Sequence, residues 1–234
     1  MNCPICSQLK DVETSFYKYD APQYDHPLPD AAGQLIMVDN GMEENLQEHH
    51  VRCCPLCGTL YRYDVSYEYH VNGSEDEEQL VRMTPEEGAQ YCRSEARKLE
   101  KIRQWIDQLK DAYGSLVDFF DRGHPSSDEQ VEVLQQMEEY QQTINQQVQE
   151  LQTRVESLRR TCPQIINTWV AAHIKVCQFY LDQPMGMDVD AMVAHHVAET
   201  TLQEWKQFLE GGEVFIRVHP TWMEGYLERL EAAL

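Results

Sequence analysis

Two short cysteine pairs are the residues of this sequence with the clearest chemistry. "CPIC" occupies residues 3–6 and "CPLC" occupies residues 54–57, so each pair spaces its cysteines three positions apart. Two such pairs suit the tetrahedral coordination of Zn²⁺, because each short loop holds two sulfurs on one side of the ion. We therefore predict that one metal ion is bound by four ligands: Cys3, Cys6, Cys54 and Cys57.

The residues around the second pair are weaker candidates for ligands. Cys53 lies four positions before Cys57, one more than the pair spacing, and is expected to be a spare thiol. His49 and His50 would be ligands only in place of a cysteine of the first pair. The N-terminal residues "MNCPICSQLK" lack the apolar run of a signal peptide, so the eight cysteines indicate reduced thiols in the cytoplasm rather than disulfide bonds.

The second pair continues as "CPLCG" and then as a strand, and this stretch resembles the second cysteine loop of zinc-ribbon domains. The resemblance implies a small domain in which the four cysteines bind a structural zinc ion. It departs from the family pattern in the first loop, where Ser7 stands in place of the usual glycine. Rubredoxin-like iron sites use the same ligands, so an electron carrier is an alternative, although the long spacing between the pairs favours zinc.

A group of histidines offers a second hypothesis, a metalloenzyme. His195, His196 and Glu199 lie on one predicted helix, and His173 lies on the helix before it. Such residues could form a metal centre inside a helical bundle. However, His173 and His195 fall on apolar helix faces, where histidines mostly pack and form hydrogen bonds. A four-sulfur site leaves the ion no position for water, so we predict no catalytic residues and keep the metalloenzyme as the alternative.

The residues after the second pair have the pattern of a β-hairpin. In "YRYDVSYEYHV", residues 61–71, every odd position is Tyr or Val, which predicts a strand with one apolar face. "NGSEDEE" is expected to be a turn, "QLVRM" the returning strand, and "QLIMV" a third strand. Residues 1–84 are therefore predicted to form a zinc-ribbon domain with a β-hairpin.

From residue 85 onward the sequence has the pattern of helices. Thr84 and Pro85 are typical of the first positions of a helix, and Ser126 with Glu129 forms a capping box before the next one. Apolar residues recur every three or four positions in both segments. Two long helices joined by a short turn predict an antiparallel helical hairpin with coiled-coil contacts.

The seam, meaning the line of residues along which the two helices touch, is predicted to combine two heptad positions of the second long helix. Met137, Ile144, Leu151 and Leu158 occupy one, and Leu134, Gln141, Val148, Val155 and Cys162 occupy the other. Three shorter helices are expected at about residues 164–182, 188–210 and 220–233. The fold class is therefore α+β and mostly α, with a helical bundle over residues 85–234.

The charge of the chain limits its partners. There are 40 acidic and 19 basic side chains, for a formal net charge of −21. Such a polyanion is repelled by nucleic acids and by anionic membranes, and it attracts basic protein surfaces. The most apolar run, residues 169–181, is too short to cross a bilayer. We predict a non-catalytic adaptor, regulator or inhibitor that binds a basic protein, with the long helices as a route to self-association.

Overall fold

The computed structural model describes residues 3–18, 22–38, 48–70, 73–123, 126–183, 189–211 and 225–234. Within these ranges the protein is mostly helical and has a small antiparallel β-sheet near the N-terminus, which confirms the predicted fold class. The chain forms two compact units, Met1–Cys92 with Leu158–Gln164, and Arg93–Ser157 with Ile165–Leu234. The division into two domains at residue 84 stays a prediction.

The sheet lies in the first unit and has five strands. They are β1 (Val12–Lys18), β2 (Ile36–Met37), β3 (Glu48–Cys53), β4 (Leu60–His70) and β5 (Gly73–Arg82). Their order across the sheet is β1-β5-β4-β3-β2, and each neighbouring pair is antiparallel. The hairpin expected from the sequence is the β4–β5 pair at the centre, while β1 and β3 were not predicted.

The alternation of β4 places Tyr61 and Tyr63 on the face that forms the core of the first unit. Tyr61 and Tyr63 are 0% and 5% exposed, and they pack with the buried residues of the N-terminal segment. Val65 is partly buried and Tyr67 is 37% exposed, so burial decreases along the strand. The predicted face also includes Tyr69 and Val71, whose side chains lie outside the described residues.

The acidic run expected in a turn lies instead in strand β5. Glu78 accepts hydrogen bonds from the hydroxyl groups of Ser15 (2.6 Å) and Tyr63, and the Lys18 ammonium group lies 2.6 Å from Glu75. Two of these three partners belong to β1, which pairs with β5 over its whole length. The expectation of a turn was wrong because partners on neighbouring strands stabilise these carboxylates in an extended chain.

The helices follow the sheet and begin where the capping residues predict. They are α1 (Pro85–Gly123), α2 (Ser127–Thr161), α3 (Pro163–Leu181), α4 (Val189–Leu209) and α5 (Tyr226–Ala233). The backbone N–H of Glu87 donates to Thr84 Oγ1 over 3.2 Å, and that of Ser126 donates to Glu129 Oε2 over 2.9 Å. Among the helices described, none combines the length and the hydropathy that crossing a bilayer requires.

Helices α1 and α2 form the predicted antiparallel hairpin, but the seam on α2 differs from the prediction. Leu134 is 51% exposed, and Gln141 is exposed and donates a hydrogen bond to Asn145. The predicted seam residues nearer the end of α2 are buried, namely Ile144, Leu151, Val155, Leu158 and Cys162, and Val133, which was not predicted, is 9% exposed. The predicted seam is therefore confirmed from Ile144 onward and wrong at Leu134 and Gln141, where Val133 takes the buried position.

The second unit has a network of buried polar side chains at its centre. The carboxylate of Glu100 accepts hydrogen bonds from Trp169 Nε1 (2.9 Å) and contacts His173 Nε2 (2.9 Å). The other ring nitrogen of His173 lies 3.2 Å from the Tyr226 hydroxyl, and Arg103 lies 3.8 Å from Glu100. Because buried charges are costly unless paired, this network fixes the relative positions of α1, α3 and α5.

We expect Glu100→Ala to lower the free energy of unfolding by about 3–5 kcal/mol, because it leaves buried donors and a buried cation without their acceptor. Asp118→Asn is the matched control, since Asp118 pairs with Arg122 on an exposed helix face (2.6 Å) and such pairs contribute little. Urea unfolding followed by circular dichroism measures both variants. Equal stability of the two variants would contradict the role assigned to the network.

Candidate metal centre

The four predicted ligands lie together in the first unit. Their Sγ atoms all lie within 4.8 Å of one another, and no disulfide bond joins them. Cys3 Sγ is 3.6 Å from Cys54 Sγ, and Cys6 Sγ is 3.4 Å from Cys57 Sγ. A tetrahedral ion with Zn–S bonds of about 2.3 Å would hold its sulfurs roughly 3.8 Å apart. The cluster therefore has dimensions compatible with a four-sulfur metal site.

The two cysteine loops, residues 3–7 and residues 54–58, are closed by the same kind of hydrogen bond. The N–H of Ser7 donates to the carbonyl of Cys3, and the N–H of Gly58 donates to the carbonyl of Cys54, both over 2.9 Å. Gly58 has a φ of +74°, whereas Ser7 lies in the 3₁₀ turn Cys6–Gln8. The first loop therefore does not need glycine, which explains its departure from the zinc-ribbon pattern.

Gln164 supports the second cysteine loop from the start of α3, and sequence reasoning missed it. Its side-chain Nε2 donates to the carbonyl of Gly58 over 2.9 Å, and its Oε1 lies 3.3 Å from Cys162 Sγ. A Cβ atom on Gly58 would lie 1.8 Å from that Nε2. The absence of a side chain at Gly58 thus serves both the backbone conformation and the contact with Gln164. No signal in the sequence joins residues so far apart.

Arg82 supports the first cysteine loop from the end of β5. Its Nη2 donates to the carbonyl groups of Cys6 and Leu9, each over 2.7 Å. The Arg82 guanidinium also lies 3.5 Å from the carboxylate of Asp11. One side chain therefore joins the loop that carries Cys3 and Cys6 to the central hairpin.

Tyr61 is fully buried and belongs to the same core as Cys3, Cys6 and Cys54. Its hydroxyl has no hydrogen bond of ordinary length within the described part of the chain, but it interacts with the Cys6 sulfur and favours the thiolate. Burial has the larger effect on Cys6 and raises the pKa of its thiol. Tyr61 is thus placed to donate to a sulfur whose charge a metal ion would hold.

The pKa values of the second pair differ strongly. Burial raises the pKa of the Cys54 thiol to about 12. At Cys57 burial also raises the pKa, but hydrogen bonds outweigh this effect and lower the pKa to about 6. These hydrogen bonds come from the hydroxyl and the backbone of Thr59 and from the Cys6 and Cys3 thiols. Because the pKa of Cys57 is about 6, this cysteine is already largely a thiolate at neutral pH. A metal ion that binds four thiolates must displace the remaining protons.

The neighbouring candidates do not join the cluster. His49 contacts Asp64 across the β3–β4 pair at 2.7 Å, and His50 accepts a hydrogen bond from Arg52 over 3.0 Å. Cys53 is 1% exposed, and a hydrogen bond with the Cys162 thiol lowers its pKa against the opposing effect of burial. The spare thiol is therefore packed inside the first unit.

The histidines of the alternative hypothesis are not gathered into a comparable set. Over the ranges that the structure describes, the four cysteines are the one group of three or more potential ligands whose donor atoms converge. His195, His196 and Glu199 lie on α4, as predicted. His173 is 0% exposed, and its two ring nitrogens contact Glu100 and Tyr226.

Known proteins add no further guide to the site. Comparison of the chain with models of protein families, with curated proteins and with solved structures found no match. The interpretation of the cluster therefore depends on its four sulfurs, their distances and the groups around them.

We expect Gly58→Ala to lower the stability of the protein by at least about 1 kcal/mol, because a side chain is strained at positive φ and would displace Gln164. Gly33→Ala is the control, since a Cβ atom there meets nothing within 4 Å. Thermal unfolding of the metal-loaded protein compares the two variants. Similar midpoints for both would show that the conformation of the second cysteine loop is not constrained as described.

We also expect binding of Zn²⁺ at pH 7.5 to release fewer than four protons, because Cys57, with a pKa of about 6, is largely thiolate beforehand. Lowering the pH through the cysteine pKa values weakens binding, since protons then compete with the metal. Calorimetry in buffers of different ionisation enthalpy counts the protons. Thr59→Val removes a hydrogen bond that stabilises the Cys57 thiolate, so this variant should release more. An unchanged count would contradict the assignment.

Proposed function

We propose that this protein is a non-catalytic interaction protein in which one structural Zn²⁺, bound by the four cysteines, stabilises the N-terminal unit. The observation that carries the proposal is the convergence of four sulfurs within 4.8 Å. Four protein ligands fill the coordination positions of a tetrahedral ion, and such sites contribute folding energy rather than catalysis. In this proposal, the acidic surface of the protein binds a basic partner.

The environment of the buried histidine supports the non-catalytic part of the proposal. Glu100, His173 and Tyr226 form a carboxylate–imidazole–hydroxyl series, an arrangement that can activate a nucleophile. Here the Tyr226 side chain is 2% exposed, and burial raises the pKa of its hydroxyl well above the ordinary value. A phenol that keeps its proton and has no access to solvent is suited to a structural hydrogen bond.

The charge of the chain supports the choice of a basic partner. A formal net charge of −21 on 234 residues produces a field that accelerates the association of positively charged proteins. The same field opposes binding to nucleic acid, because such binding depends on neutralising phosphates with Lys and Arg. Proteins that present Lys and Arg on a folded surface therefore fit this one best.

Metal analysis of the dialysed protein tests the metal-binding part of the proposal. We expect one zinc per chain in the wild type and in Cys53→Ser, because Cys53 lies outside the cluster. Cys54→Ser is the matched variant one residue away, and it should lose the metal. Iron in place of zinc would support the electron-carrier alternative, and a second metal lost on changing His195 and His196 to alanine would support the metalloenzyme.

Affinity capture with the full chain tests the partner. We expect a stoichiometric protein from the native host that binds at low salt and is released at high salt, because exposed charges are screened. The captured protein is then purified, and its affinity is measured against ionic strength. A partner whose binding is insensitive to salt, or recovery of no protein at any salt concentration, would contradict an electrostatic role for the acidic surface.

A further inference from the structure

Helix α3 covers helix α1 of the hairpin along part of its length. On α1, Glu100, Arg103 and Asp107 recur at three- and four-residue spacing and are 3%, 4% and 3% exposed. Glu100 contacts Trp169 and His173 of α3, so this face of α1 packs in the interior of the unit. Beyond Asp107 the burial ends, and residues 108–123 include no buried side chain.

The same face of α1 continues beyond the point where its cover stops. The spacing of Arg103 and Asp107 extends to Lys110, Gly114 and Val117, which are partly buried or exposed. The geometry of α1 is regular over this stretch, since the helix runs unbroken from Pro85 to Gly123. This face of α1 is therefore buried as far as Asp107, and beyond Asp107 it is partly buried or exposed.

Helix α2 contributes apolar residues to the same side. The ion pair between Glu95 and Arg154, at 2.9 Å, fixes the antiparallel register and places Leu134 close to Val117 along the hairpin. Val117 directly follows the partly buried Leu116, and Leu134 directly follows the buried Val133. In an antiparallel pair, positions that follow the contacting residues lie on the same side. Leu134 is 51% exposed, and Val131, one turn away, is 68% exposed.

We call Val117, Val131 and Leu134 the open face. The charge around it selects between possible occupants: residues 108–139 contain four aspartates and four glutamates, against one lysine and one arginine. Asp121 and Glu138, which lie beside the open face at helical spacing, are both exposed. A second copy of the hairpin would bring like charges together, whereas a basic helix would find opposite charges at both edges.

We propose that the open face binds an amphipathic helix of the partner protein, with an apolar stripe against Val117, Val131 and Leu134 and with Lys or Arg on both flanks. This inference rests on the proposed function and names the surface and the binding mode. A helix seated there would lie in a groove between two helices, a common mode of recognition of amphipathic helices. It would continue the cover that α3 provides on the other half of α1.

Calorimetric titration of the full-length protein with a synthetic leucine–lysine amphipathic peptide of about 20 residues, long enough to follow the open half of the hairpin, tests the proposal. We expect Leu134→Lys to weaken binding at least tenfold. Met192→Lys on α4 is the matched control, because Met192 is also 51% exposed and the variant gains the same charge. It should bind within about twofold of the wild type, and both substitutions are at exposed positions that tolerate change.

Equal weakening by the two variants would overturn the open face as the binding site and would indicate charge attraction alone. Equally tight binding of a peptide with glutamate in place of lysine would overturn the Lys or Arg flanks assigned to the helix that binds the open face. A dimer of the protein in sedimentation that is lost in Leu134→Lys would assign the open face to a second copy. Each of these results leaves zinc content and salt-dependent capture of a partner unaffected, so failure here is distinct from failure of the proposed function.

Discussion

The meeting of four cysteine sulfurs in one small volume is the constraint on which the N-terminal unit depends. The paired cysteines Cys3 and Cys54 are 51 positions apart, so their meeting closes a loop that contains three of the five strands, β1, β2 and β3. Closure of such a loop costs conformational entropy, and a small sheet with a small core recovers little of it. Under the proposed function, binding of one ion to four thiolates would offset that cost, because the binding free energy of a structural metal becomes folding free energy.

The groups around the cluster determine how well the two cysteine loops are held before a metal binds. Arg82 joins the first loop to β5, and Gln164 joins the second loop to the start of α3. Thr59 stabilises the thiolate of Cys57, while burial keeps a proton on Cys54. The cluster is therefore preorganised in shape but only partly ionised, and a metal ion that bound four thiolates would have to displace the remaining protons.

The parts of the structure that depend on local chemistry could be predicted from the sequence. Cysteine spacing, the alternation of β4 and the caps at Thr84 and Ser126 each involve residues within a few positions of one another. Gln164 could not be found this way, since its contact with Gly58 spans more than a hundred residues. The predicted seam of α2 failed at Leu134 for a related reason: Val133 and Leu134 both fit an apolar pattern, and tertiary packing selects one of them.

X-ray absorption spectroscopy at the zinc edge of the metal-loaded, full-length protein tests the central claim most directly. It reports the identity and distance of the atoms bound to the ion. The account predicts four sulfur ligands at about 2.3 Å and no other ligand. Nitrogen or oxygen ligands at about 2.0 Å, in place of one or more sulfurs, would contradict a closed four-cysteine site and with it the structural role of the metal.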